Sequence, residues 1–182
     1  MNKLNDLNQY GWLESNVDDG FKDEDLDSEG LPEPIGVDTF LNNLPKLPPE
    51  LIEGVVKVGH KMMISGASKS GKSFLLMQLA IALSEGTKWL GFQCKKSKVL
   101  YVNLEIDRAS FIHRFTHIYE ALKLKPKHSH DISIWNLRGI AMPLDKLAPI
   151  LIRRVVSRGY DAIIIDPIYK VITGDENSAS DM

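Results

Sequence analysis

The chain has 182 residues, 43% hydrophobic and 25% charged, with a net charge of −2. That is a globular composition of about one domain's size, neither membrane-like nor disordered as a whole. Its single cysteine, Cys94, excludes an intramolecular disulfide and a cysteine-built zinc site, and suits a reducing compartment.

The longest apolar stretch, residues 74–83, is broken by Gln78 and falls far short of the ~20 residues that span a bilayer. The N-terminus has no apolar core of a secretory signal. The expectation is a cytoplasmic protein with no membrane partner.

Residues 1–34 hold ten acids against two bases, a net of −8, which leaves +6 on the remainder. The acids crowd into DDGFKDEDLDSEG, residues 18–30, where self-repulsion and few large apolar residues oppose a packed core. A flexible, disordered acidic arm over residues 1–34 is predicted. It reads either as a solvated linker or as a tail that binds a partner or mimics DNA. Pro32, Pro34, Pro45, Pro48 and Pro49 then exclude a long helix or a central strand. They leave room for one helical turn around residues 38–41, with Asp38 as its N-cap.

Beyond that segment the elements alternate. Residues 55–58 and 61–65 (KMMIS) are short strand candidates. After GASKSGKS comes FLLMQLAIALSE, apolar around most of a helical circumference and therefore a buried helix, with Gly86 as its stop. VLYVNLE, residues 99–105, is β-branched and aromatic, too short for a helix, and ends in a charge. Residues 109–122 place Ile112, Phe115, Tyr119 and Leu122 on one face of an amphipathic helix. DISIWNL reads as another strand, and residues 144–157 as a second amphipathic helix with Pro149 as a point of interruption. AIIID, residues 162–166, is an apolar strand ending in an acid. Apolar strands alternating with helices predict an α/β fold, with a mostly parallel central sheet flanked by helices.

Gly66-Ala67-Ser68-Lys69-Ser70-Gly71-Lys72-Ser73 fits G-x-x-x-x-G-K-[ST] between an apolar strand candidate and a helix, the context of a phosphate-binding loop. Gly66 and Gly71 permit the tight turn that aims successive N–H groups at phosphate oxygens. The helix N-terminus adds partial positive charge there. Lys72 brings a mobile ammonium, and the Ser73 hydroxyl suits Mg²⁺. Asp166, closing AIIID, reads as a Mg²⁺-holding Walker B acid or as an acid that merely ends a strand. Glu105, closing another strand, reads as the group that orients attacking water, or as a cap for the next helix, a role Asp107 could also fill.

Three segments, GASKSGKSFLL, VLYVNLEID and DAIIIDPIYKV, together resemble the RecA-like ATPases of the hexameric replicative helicases. The resemblance is greatest to the plasmid RepA-type branch, AAA-family ATPases whose lead-in LPPELIEGVVKVGHKMMISG is also similar. It covers residues 35–182 and implies a RecA-like P-loop ATPase core that binds ATP and Mg²⁺. Lys72 and Ser73 would hold phosphate and metal, Glu105 would activate water, and Asp166 would be the Walker B acid. It also implies a homo-oligomeric ring working on single-stranded DNA in plasmid, phage or mobile-element replication. Asp175, Glu176 and Asn177 would lie on a loop facing nucleotide or channel, although a solvated turn reads equally well.

In that family a further strand follows the Walker B strand and sits between it and the phosphate-loop strand, with a DNA-contacting loop beyond. Here Met182 comes 16 residues after Asp166, so a core lacking its C-terminal strands is expected. The alternative function is a nucleotide-binding regulator or assembly module with little turnover. A small-molecule P-loop kinase is disfavoured, because Glu105 would have no role in it.

Other residue clusters carry less. His113 and His117 lie four apart but lack the glutamate of H-E-x-x-H and read as a solvated helix face. His128 and His130 fall in a polar loop with no third ligand in view, so no metal is expected there. CKKSK, residues 94–98, is a basic turn, and Arg108 or Arg114 could serve a subunit junction. Tyr169 and Lys170 would border the nucleotide.

Overall fold

The computed structural model describes residues 31, 34–41, 44, 46–140 and 142–172. Most of the predicted acidic arm, and the loop residues Asp175, Glu176 and Asn177, lie outside them. The chain divides into two units, Met1–Pro49 and Glu50–Met182. The described part of the first contains helix α1, Val37–Leu41. Because α1 starts at Val37, Asp38 lies inside its first turn instead of capping it, a position where a carboxylate complements the helix dipole.

The second unit is organised by three parallel strands, β5 (Val99–Asn103), β6 (Ile132–Asn136) and β7 (Ala162–Asp166), in the order β6-β5-β7. Every residue of the central strand β5 is buried, which explains its unbroken apolar run. Side chains alternate across the sheet. Val99, Tyr101 and Ile164 face helices α2 (Lys72–Glu85) and α3 (Arg108–Ala121), while Leu100 and Val102 face α4 (Leu144–Arg158). On the first face the Tyr101 ring meets Phe111 and Phe115 edge-on, with centroids 5.0 and 6.1 Å apart. On the second, Leu147, Leu151 and Val155 of α4 are buried, each worth about 1.5–3 kcal/mol of transfer free energy.

Helix α2 matches its sequence pattern. Residues Met77 and Leu79 to Ser84 are all buried, and Gly86 ends the helix at φ 66°, its N–H donating to the Ala82 carbonyl. Two short antiparallel pairs flank it: β1 (Glu50–Ile52) with β2 (Val56–Lys57), and β3 (Lys88–Trp89) with β4 (Phe92–Gln93); β2 falls within the strand expected over residues 55–58, and the other three were not expected. The buried Trp89 donates its indole N–H to the Leu75 carbonyl at 3.2 Å, fixing β3 against the first half of α2.

Four expectations need correction. Residues 61–65 form no strand, and Met62 and Met63 are exposed. No described strand lies alongside this segment, and without a ladder its backbone groups turn to water. The buried stripe of α3 is Phe111, Phe115, Ile118 and Tyr119, whereas Ile112 and Leu122 face outward. The i, i+4, i+7, i+8 spacing from Phe111 gives the wider apolar stripe. Pro149 does not interrupt α4, because the carbonyl it leaves unbonded belongs to the exposed Asp145, where water substitutes. Among the described strands β7 is an outer one, and its Ile163 is exposed, not buried on both faces. Among the described residues, no helix is long and apolar enough to cross a membrane.

Candidate functional site

Residues 66–71 form an exposed turn that runs into α2. Gly71 precedes the helix at φ 85°, and a Cβ there would meet nothing within 4 Å. The requirement for glycine is therefore backbone conformation, not space. Ser70 N–H closes the turn on the Ala67 carbonyl at 3.3 Å. The Lys72 ammonium folds back over the loop and donates to the carbonyls of Gly66 and Ala67, both at 2.7 Å. Lys72 and Ser73 are half-buried in the first turn of α2, where the leading N–H groups have no helical acceptor. An ammonium, a hydroxyl and a row of N–H groups thus share one helix terminus.

A polar row crosses the carboxyl ends of all three strands. Asn103 of β5 stands in register between Asn136 of β6 and Asp166 of β7. Asn103, fully buried, donates to Asn136 Oδ1 at 2.8 Å and to the Ile106 carbonyl at 2.6 Å. Its Oδ1 accepts from the N–H groups of Ile106 at 3.0 Å and Glu105 at 3.3 Å. One side chain therefore ties down the turn that carries Glu105.

Asp166 is 5% exposed. The Tyr101 hydroxyl donates to its Oδ2 at 2.8 Å, and its carbonyl accepts from Leu104 N–H at 2.9 Å. Burial, and then the adjacent Asp166 charge that its proton bonds, push the Tyr101 phenol far above its usual range; the Arg114 cation opposes this. The Arg114 guanidinium also lies 5.0 Å above the Phe74 ring in the first turn of α2. It thereby links the start of α2 to the surroundings of Asp166.

Glu105 is exposed at the mouth of this row, and its Oε2 accepts from the Tyr169 hydroxyl at 3.2 Å. Tyr169 lies in a 3₁₀ turn, Ile168–Lys170, just after β7. The capping alternative for Glu105 falls away, because Asp107 caps α3 by accepting Ser110 N–H at 2.9 Å. The Ser110 hydroxyl, and after it that N–H bond, hold the Asp107 carboxyl below the usual range.

The structure thus brings Glu105, Asp166 and Tyr169 to neighbouring strand ends, and sets Gly66 to Ser73 at the start of a helix packed on Asp166's face of the sheet. The sequence reading missed Tyr101, Asn103 and Asn136. A signal was present, because ISIWN, VLYVN and AIIID each end in Asn or Asp. His113 and His117 stand with ring centroids 6.4 Å apart. His128 and His130, expected without a third ligand, have Asp131 beside them, because the strand boundary falls one residue later than the sequence suggests. A groove of about 540 Å³ opens between α3 and β6, lined by Phe115, Tyr119, Leu124 and Ile132 among others, and none of the predicted site residues lines it.

A glycine-containing loop opening a helix on a parallel sheet, with polar strand ends beside it, fits the P-loop NTPase-like class of α/β fold. Residues 32–182 match the AAA domain family, and the chain belongs to it. Membership makes nucleotide binding of the ATPase type the coarse function of this site. No curated protein and no solved structure matches the chain.

Proposed function

We propose that the chain is a Mg²⁺-dependent ATPase core of RecA-like type, the motor part of a replicative DNA helicase that assembles as a homo-oligomeric ring on single-stranded DNA. The observation that carries the enzymatic part is that Asp166 ends β7 on the sheet face that packs the loop-bearing helix, while Glu105 follows the neighbouring parallel strand β5 and is held by Tyr169 from the turn after β7.

Gly66, Ala67, Ser68, Lys69, Ser70 and Gly71 form the phosphate cradle, and Lys72 exchanges its two carbonyl contacts for phosphate oxygens. The hydroxyl of Ser73 and the carboxylate of Asp166 are hard oxygen donors, the set that suits Mg²⁺. When bound, the ion supplies neutralisation of charge on the β- and γ-oxygens. Glu105, oriented by Tyr169 and by the Asn103-braced turn, holds water for in-line attack on the γ-phosphorus. Tyr101 aims the Asp166 carboxylate by donating to it.

ATP hydrolysis and binding of a fluorescent ATP analogue are measured for the parent chain, Lys72→Ala and Glu105→Gln. The expected pattern is loss of binding in Lys72→Ala, and retained binding with turnover reduced at least 100-fold in Glu105→Gln. Binding without turnover in the parent, unchanged by Glu105→Gln, refutes hydrolysis and leaves a nucleotide-binding switch. Stimulation by single-stranded DNA supports the motor reading, and its absence from an active, assembled chain counts against it.

A further inference from the structure

We infer that His128, His130 and Asp131 form a binding site for a zinc-class divalent cation, separate from the nucleotide loop and guarded by Lys96. The local fold builds it. Residues Ser129–Asp131 make one 3₁₀ turn, with Asp131 N–H on the His128 carbonyl at 2.9 Å. At three residues per turn, positions three apart eclipse, so His128 and Asp131 fall on one side of the turn. His130, between them, turns its Nε2 to within 3.7 Å of Asp131 Oδ1. One donor atom from each residue lies within 4.8 Å of the others. Ligands around tetrahedral Zn²⁺, at about 2.0–2.1 Å each, sit about 3.4 Å from one another. The present spacing is therefore a small side-chain adjustment away, and the His130 side chain is 73% exposed and able to make it.

A cation already sits there. The Lys96 ammonium is 2.9 Å from His128 Nδ1 and 3.7 Å from Asp131 Oδ2. A lysine has three donors and no acceptor, so the facing Nδ1 presents its lone pair, the form in which an imidazole binds metal. The Lys96 side chain is half exposed and can withdraw to solvent. The frame of the site is fixed: Glu85 at the end of α2 accepts His128 N–H at 3.0 Å and the Tyr119 hydroxyl at 3.0 Å. Two imidazoles and one carboxylate suit Zn²⁺, Co²⁺ or Ni²⁺ in preference to Mg²⁺, with water completing the shell. Cys94 does not compete for the ion, being buried with its thiol pushed up by that burial.

The test is calorimetric titration of the nucleotide-free full chain with ZnCl₂, alongside the visible absorption of its Co²⁺ complex. The expected result is one ion per chain with a micromolar Kd and an intense tetrahedral cobalt band. His130→Ala, a change at an exposed side chain, weakens binding at least tenfold while the metal-free melting temperature stays put. Lys96→Ala tightens binding several-fold by removing the competing ammonium. The double variant His113→Ala/His117→Ala binds like the parent. No stoichiometric binding, undiminished binding in His130→Ala, weaker binding in Lys96→Ala, or loss of binding in the α3 double variant would each overturn the assignment.

Discussion

Replacing Tyr101 by Phe removes one hydroxyl and leaves the ring packed against Phe111 and Phe115. No cavity forms, so the cost is that of the 2.8 Å bond to the 5%-exposed Asp166. A hydrogen bond to a charged group contributes about 1.5–3 kcal/mol, and the carboxylate left behind keeps its desolvation penalty. The expected destabilisation is about 2 kcal/mol, or roughly 4–8 °C in Tm at this chain length. Urea unfolding followed by circular dichroism measures it. A double-mutant cycle with Asp166→Ala isolates the pair, with an expected coupling of about 1.5–3 kcal/mol. A coupling under about 0.5 kcal/mol refutes the reasoning, because residues sharing no interaction add to within that margin. Alkaline pH supplies an independent readout. The folded Tyr101 phenol titrates far above its unfolded counterpart, so its contribution is complete below pH ~10 and is lost as pH rises above that value. Unfolding then releases a proton, and stability falls with a slope approaching about 1.4 kcal/mol per pH unit from this group. Tyr101→Phe removes that component of the slope.

Asn103→Ala strands Asn136 Oδ1 and the Ile106 carbonyl and loosens the Glu105 turn, costing about 2–3 kcal/mol in urea unfolding; hydrogen exchange at the Glu105 and Ile106 amides should accelerate with it. Gly71→Ala forces a side chain to φ 85° at about 1–2 kcal/mol, and nucleotide-analogue affinity, read by fluorescence, should fall with it. Asp107→Ala removes the α3 cap and should cost about 1 kcal/mol by thermal melting, without changing nucleotide affinity. Leu147→Ala empties a position 1% exposed under β5 and should cost about 2–5 kcal/mol by the same melting assay, the strongest effect among the core predictions.

The alternation of elements was legible because it rests on local pattern. VLYVN, ISIWN and AIIID announce strands by composition, and Gly86 announces the end of α2 by its conformational freedom. The loop from Gly66 to Ser73 was legible as a motif for the same reason. What escaped depends on neighbours distant in sequence. KMMIS has the composition of a strand, but strand formation belongs to a ladder, and no described strand stands beside it. The apolar stripe of α3 was read correctly at Phe115 and Tyr119 but took Ile112 and Leu122 in place of Phe111 and Ile118, because these residues are all apolar and only the sheet face decides among them. The bond between Tyr101 and Asp166 spans 65 residues, a separation that no local pattern encodes. The Asn136-Asn103-Asp166 row became visible only when the register of three parallel strands was known.

Trp89 gives the molecule an optical consequence. Its indole donates to the backbone of Leu75, which itself donates to the Gly71 carbonyl at 3.0 Å. Two bonds therefore separate a buried fluorophore from Gly71, the left-handed glycine that ends the loop. Any shift in the first turn of α2 changes the polarity felt by that indole, so intrinsic emission at Trp89 reports loop movement without a label. The chain has two other tryptophans, Trp12 and Trp135. Trp135 sits beneath the Arg154 guanidinium at 4.2 Å, on β6, and conservative replacement of both would leave Trp89 as a single-site reporter.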